Sequence, residues 1–210
     1  MDLANLHTCN HNMNLKKEAA SRALDYVQSG MILGLGSGST NDFFVEMLGD
    51  RISSGALNNI KGVPTSDGTA ERARKLHIPL TTLSEFPQLD LAVDGADEVD
   101  PNFNLIKGLG RAALREKLVE MHARLFVVIV DESKLVRQLG TRGPLPVEIV
   151  QFESETNIRW LNSLGCRAEQ WLEEEGSPVI TDNGNFLVRC WFEDGIADAY
   201  QLAEILQARP

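Results

Sequence analysis

Met31-Ile-Leu-Gly-Leu-Gly-Ser-Gly-Ser-Thr40 is the stretch that decides the fold. It opens as an apolar run of strand length and ends in glycines and small hydroxyl residues. Phe43, Phe44, Met47 and Leu48 then share one helical face, in a helix that begins near Ser39 or Thr40, either of which can cap it. A short buried strand, a glycine loop and a helix thus follow one another directly. Upstream, Leu15, Ala19, Ala20, Ala23, Leu24 and Val27 recur at helical spacing before Gly30, which predicts an amphipathic helix over 15–29.

The alternation continues downstream. Strands are expected at 60–65, 79–83, 89–94 and 125–130, and helices at 67–77 and 111–122. Strands without polar alternation, separated by helices, imply a parallel sheet covered on both faces. Past Gly143-Pro144-Leu145-Pro146 the order becomes strand (147–152), helix (154–164), strand (166–172), strand (179–192) and helix (197–207). Asp182-Asn183-Gly184-Asn185 offers a hairpin tip there. The predicted class is α/β: a Rossmann-like parallel-sheet domain over 1–145, with 1–14 as a flexible leader, and a smaller α+β domain of ferredoxin-like type over 146–210.

Composition narrows the partners. Thirty acidic against 20 basic residues give a formal charge of -10, which argues against nucleic acid or an anionic membrane as partner. An anionic substrate therefore needs a local basic pocket. The polar N-terminus has no signal-peptide core, and no stretch approaches about 18 uninterrupted apolar residues, so a cytoplasmic location is expected. Cys9, Cys166 and Cys190 are too few and scattered for a disulfide framework and read as reduced thiols. His7, Cys9 and His11 lie close in sequence but lack a fourth partner, so no metal site is expected.

Three segments can carry chemistry. Gly34-Leu-Gly-Ser-Gly-Ser-Thr40 lies between strand and helix, where backbone N–H groups, the helix dipole and hydroxyls can hold a phosphate; its plain alternative is a tight turn. Ser39 stands where a dinucleotide fingerprint needs its third glycine, which disfavours nicotinamide binding. Asp94-Gly-Ala-Asp97-Glu98 follows an apolar strand, at the sheet edge where α/β proteins keep their ligand crevice. Its neighbouring carboxylates repel one another, so one can work as acid or base, or the segment is simply an acidic capping turn. Lys107-Gly-Leu-Gly110 leads into a helix whose Glu116 is either a solvated charge or a partner of the lysine and aspartates before it.

GLGSGST (34–40), TSDGTAERARKL (65–76), VDGADEVD (93–100), KGLGRAALREK (107–117), DESKLV (131–136), GPLPVEI (143–149) and TDNGN (181–185) occur in that order. Together they resemble the type A ribose-5-phosphate isomerases, from about Leu15 to the end of the chain. The resemblance implies interconversion of ribose 5-phosphate and ribulose 5-phosphate through an enediol, with neither metal nor organic cofactor, by a homodimer. It implies Glu116 as general base, Lys107 as electrostatic stabiliser and the pair Asp94 and Asp97 as helpers in proton transfer. The phosphosugar would be held by Ser37, Gly38, Ser39 and Thr40 with Lys16 and Lys134, and lined by Gly95, Ala96, Gly108, Leu109 and Gly110. Two departures stand out: Leu109 replaces a glycine of the family loop, and relatives continue past Pro210 with a further strand, so the small sheet is expected to lack its last strand.

Two rival classes remain at this stage. A non-catalytic phosphosugar sensor would keep the phosphate loop without a base, but only about 14 residues precede the first predicted helix, too few for the DNA-reading module such regulators carry. A nucleotide-dependent transferase or dehydrogenase rests on fold analogy alone, without a true dinucleotide or P-loop motif.

Overall fold

The computed structural model describes residues 3–209, and side chains from Met13 onward. The chain divides into two compact units, residues 1–95 with 114–133, and residues 96–113 with 134–210. The boundary expected at 145/146 was a single cut; the observed division instead passes the chain three times between the units, at 95/96, 113/114 and 133/134, and residues 96–113 belong with the C-terminal part.

The first unit is built on four parallel strands, β1 (Ile32–Leu35), β2 (Lys61–Pro64), β3 (Leu89–Asp94) and β6 (Ala123–Val128), in the order β2-β1-β3-β6. Its helices are α1 (Leu3–Ala23), α2 (Ser39–Ser53), α3 (Asp67–Lys75) and α4 (Ala113–Met121), the last beginning at the unit boundary. Leu33, Leu35, Leu91 and Val93 of the sheet bury themselves with Ala20, Phe44, Leu48 and Ala73 of the helices, which is the continuous apolar core that strands without alternation require. On the other side, a Cβ at Gly34 would overlap the Val119 side chain, so the missing side chain lets α4 lie close against β1.

Several boundaries differ from the sequence expectation. α1 takes in residues 3–14, read above as a leader, and stops at Ala23; a 3-10 turn (Leu24–Tyr26) follows, and Val27 is already extended. The strand expected over 79–83 is a single bridge between Leu80 and Gly62. The cap of α2 is Gly38, with φ 94, and not Ser39 or Thr40, both of which are already helical.

The second unit contains a hairpin of two short strands, β4 (Glu98–Val99) and β5 (Leu105–Ile106), which the sequence reading did not anticipate. Its main sheet is antiparallel, β7 (Leu145–Ile149), β9 (Phe186–Trp191) and β8 (Arg167–Gln170), in the order β7-β9-β8. With α5 (Ser154–Asn162) between β7 and β8 and α6 (Ala199–Gln207) after β9, the run β-α-β-β-α follows the ferredoxin-like sequence of elements through its first five members. The long strand expected over 179–192 is interrupted, because Thr181 to Asn185 forms the anticipated turn and only Phe186–Trp191 pairs continuously.

Candidate active site

In the first unit β1 passes the chain to β2 on one side, whereas β3 has β6 on the other. The reversal lies between β1 and β3, and open parallel sheets bind ligands outside the carboxyl ends of the two strands that flank such a point. Those ends here are Gly36-Ser37 and Asp94.

Asp94 is 1% exposed, and its Oδ1 accepts the Asn41 side-chain amide at 2.5 Å, the Gly95 N–H at 2.7 Å and the Ser37 N–H at 3.1 Å. Gly36 makes the arrangement possible, since a Cβ there would collide with both the Asp94 carboxyl and the Asn41 amide. The Ser37 hydroxyl meets those of Thr65, Ser66 and Thr69, and Thr69 Oγ1 donates to the Gly36 carbonyl at 3.0 Å. The glycine loop is thus held from beneath by the start of α3. No side chain caps α2 at Gly38, so the first-turn N–H groups are left for another acceptor. Lys16 Nζ donates to Ser39 Oγ at 2.8 Å, which adds a positive charge beside that helix terminus.

Glu116 lies in the first turn of α4 and is 4% exposed, although a charge there is normally solvated. The close approach of Val119 to Gly34 carries Glu116 to the end of β3. A carboxylate oxygen from each of Asp94, Glu116 and Glu120 lies within 4.8 Å of the other two. Oxygen donors of this type suit only hard cations, and acid groups this close are equally what an acid–base site needs. The side chains of His7, Cys9 and His11 lie outside the described residues.

The second unit holds the other predicted residues. Asp97 Oδ2 accepts the Leu109 N–H at 2.9 Å, and the Asp97 N–H donates to the Ile106 carbonyl at 2.7 Å. Asp97 therefore fixes the loop that carries Lys107, Gly108, Leu109 and Gly110, and it does so through the backbone of Leu109. Gly108 has φ 110, and a Cβ there would overlap Ala113. Glu98, 3% exposed, accepts the N–H groups of Gly140, Arg142 and Gly143 at 2.6, 2.9 and 3.1 Å. Asp97, Leu109, Lys134 and Arg142 line a cavity of about 140 Å³.

The predicted residues form one group in each unit: Lys16, Ser37, Gly38, Ser39, Thr40, Asp94, Gly95 and Glu116 in the first, and Ala96, Asp97, Lys107, Gly108, Leu109, Gly110 and Lys134 in the second. Sequence reasoning missed Asn41, Thr69 and Glu120, and placed Glu98 in the acidic segment without a role of its own. Thr69 lies in the 65–76 motif, and Glu120 stands one helical turn after Glu116, so both had a signal in the chain. A larger cavity of about 480 Å³ in the first unit, walled by Val63, Leu80, Leu83, Leu118 and Val119 among others, contains none of the predicted residues.

A parallel sheet with carboxylates buried at its switch point, beside an uncapped helix N-terminus and a lysine, defines an α/β protein equipped for proton transfer on a small anion. Comparison with known proteins gives the family: residues 61–210 match the model of ribose 5-phosphate isomerase A (phosphoriboisomerase A), and the chain belongs to that family. Ribose-5-phosphate isomerase A of Roseiflexus castenholzii is 51% identical, over 93% of this chain and 83% of the relative. Among solved structures, ribose 5-phosphate isomerase A of Methanocaldococcus jannaschii has a TM-score of 0.90 and 41% identity, covering 95% of this chain and 88% of that one. A D-ribose-5-phosphate isomerase in complex with phospho-erythronic acid also has a TM-score of 0.90, with 40% identity over 94% of this chain and 86% of that one.

Proposed function

We propose that this chain interconverts ribose 5-phosphate and ribulose 5-phosphate, with Glu116 as the base. The observation that carries the reading is the burial of Glu116 and Asp94 with carboxylate oxygens within 4.8 Å of one another at the sheet's switch point, where open α/β sheets keep their ligand crevice. Glu116 takes the proton from C2 of the open-chain aldose, leaving an enediolate, and returns it to C1. The O2 hydroxyl proton moves to O1 in the same sequence, so the product differs from the substrate only in where its hydrogens sit. One base on one face of the sugar suffices, and no redox step is involved.

Asp94 and Asp97 serve ring opening and hydroxyl proton transfer, and Lys107 stabilises the enediolate oxygen electrostatically. These roles follow the family motif residue by residue. The phosphate is assigned to the first turn of α2 at Ser37, Gly38, Ser39 and Thr40, with Lys16 and Lys134 as cationic partners, and Gly95, Ala96, Gly108, Leu109 and Gly110 as sugar-facing backbone. The uncapped helix terminus and the Lys16–Ser39 bond support the first part of that assignment. The chemistry calls for no cofactor.

A homodimer in the cytoplasm completes the reading. Leu114, Leu118 and Met121, at turn spacing on α4, are 40, 46 and 73% exposed, an apolar row that favours association. No helix among the described residues is long and apolar enough to cross a membrane. The test is direct: Glu116→Gln should retain sugar-phosphate binding, read as a rise in melting temperature, and lose isomerisation by about a hundredfold or more. Phospho-erythronic acid, whose carboxylate has the shape and charge of an enediolate end, should inhibit competitively.

A further inference from the structure

Arg111 closes the loop that carries Lys107, and the proton transfers assigned above make no use of it. Its backbone stands at φ 67, in the left-handed region that a long side chain seldom occupies without neighbours that hold it there. Three contacts do so, all within the second unit. The Arg111 N–H donates to the Gly108 carbonyl at 2.9 Å, which closes a turn over 108–111. Its guanidinium donates through two nitrogens to the two carboxylate oxygens of Glu173, at 2.5 and 3.1 Å. The same guanidinium lies over the Trp171 ring, 5.3 Å from the ring centre.

The far side of this clasp is itself fixed. The Trp171 N–H donates to the Leu187 carbonyl of β9, and Arg189 of the same strand sets its guanidinium 5.5 Å from the centre of the Trp171 ring. The Glu173 N–H donates to the Ser177 carbonyl and the Val179 N–H to that of Trp171, so the Glu173 carboxylate stands on a turn tied to the small sheet. The Arg111 and Glu173 side chains are 42% and 32% exposed, and a pair so open to water adds little to stability. A two-pronged guanidinium–carboxylate pair stacked on an indole fixes direction instead. Asp97 holds the same loop at the Leu109 N–H, so the turn is fastened on both sides of Gly110.

We propose that Arg111 is a positioning residue: gripped by Glu173 and Trp171, it holds the 107–110 loop in the shape that receives the enediolate. The inference rests on the reading of Lys107 as the group that stabilises that oxygen. An electrostatic stabiliser works by being in place before the charge develops, so a loosened turn lowers turnover and leaves the phosphate anchor at α2 as it was.

The experiment measures kcat and KM for ribose 5-phosphate, well below the melting temperature, for the full chain and its Arg111→Ala, Arg111→Gly, Arg111→Lys, Glu173→Ala and Lys107→Met variants, and for the double variant Arg111→Ala with Glu173→Ala. Arg111→Ala, Arg111→Gly and Glu173→Ala should each lower kcat about tenfold and change KM by less than about twofold. Arg111→Gly is the sharpest of these, because glycine takes the left-handed turn without strain and only the clasp is lost. Arg111→Lys keeps the charge without the fork and should fall with them. The double variant should be no slower than Arg111→Ala, since both changes remove one pair. A kcat within about twofold of wild type in Arg111→Gly and Glu173→Ala overturns the proposal, as do losses that multiply in the double variant. A raised KM with kcat kept overturns it too, by making Arg111 a substrate-binding group. The underlying reading is tested apart by Lys107→Met: wild-type turnover there removes Lys107 from the reaction, whatever the Arg111 variants show.

Discussion

Asn41 carries much of the site at the scale of single residues. It is 1% exposed, and its amide bridges the Asp94 carboxylate and the Ser37 carbonyl. Replacing it with Leu keeps the volume and removes both bonds, which leaves a buried carboxylate oxygen with one donor fewer. Asn41→Leu should lower stability by about 1–3 kcal/mol in urea unfolding and reduce turnover as Asp94 loosens. Nothing in the sequence around Asn41 announced this, because its partner is 53 positions away and a buried amide leaves no periodic trace. Cys166 and Cys190 are the opposite case: they read as reduced thiols from the sequence, and both are buried and outside any disulfide. A hydrogen bond with Cys166, and then burial, push the Cys190 thiol far above its ordinary value. Its thiolate form is therefore absent at neutral and mildly alkaline pH, and Cys190 should resist alkylation at pH 8 in the native protein and react only after unfolding, as mass spectrometry of the labelled peptides would read.

Among elements, those with strong periodic patterns were legible, and those defined by pairing alone were not. The strand, glycine loop and helix from Met31 onward could be read because each change of period lies directly beside the next. β4 and β5 were invisible, since strands of two residues carry no alternation; the hairpin exists because Asp100 gathers the N–H groups of Asn102 and Asn104 into a turn. The N-terminal half of α1 was missed because its residues lack an apolar face. Glu98 acts at this scale. Its carboxylate ties the 140–143 loop to the start of β4 through three N–H groups. Glu98→Ala should cost about 3 kcal/mol or more in urea unfolding, and should raise KM more than it lowers kcat, because that loop borders the cavity shared by Lys134 and Asp97.

For the whole molecule, the class of both sheets was legible but the division between the units was not. Parallel and antiparallel halves differ in hydrophobic pattern, and the sequence shows that change near Pro144. The excursion of residues 96–113 into the second unit leaves no mark in composition and follows only from which strands pair. The exposed apolar row on α4 belongs to this scale as well. Light scattering should give twice the mass of one chain, and Leu118→Glu should shift the species toward monomer while leaving circular dichroism unchanged. A single-chain mass for the wild-type protein would rule out the dimer.

Glu116 as the base is decided by the rate of ribose 5-phosphate isomerisation by the purified 210-residue chain, measured with chelator present and beside Glu116→Gln. Turnover should survive chelation and fall by about a hundredfold or more in the variant, while phosphosugar still raises the melting temperature of both proteins. Undiminished activity in a folded Glu116→Gln, or no turnover by the wild-type chain despite phosphosugar binding, would contradict it.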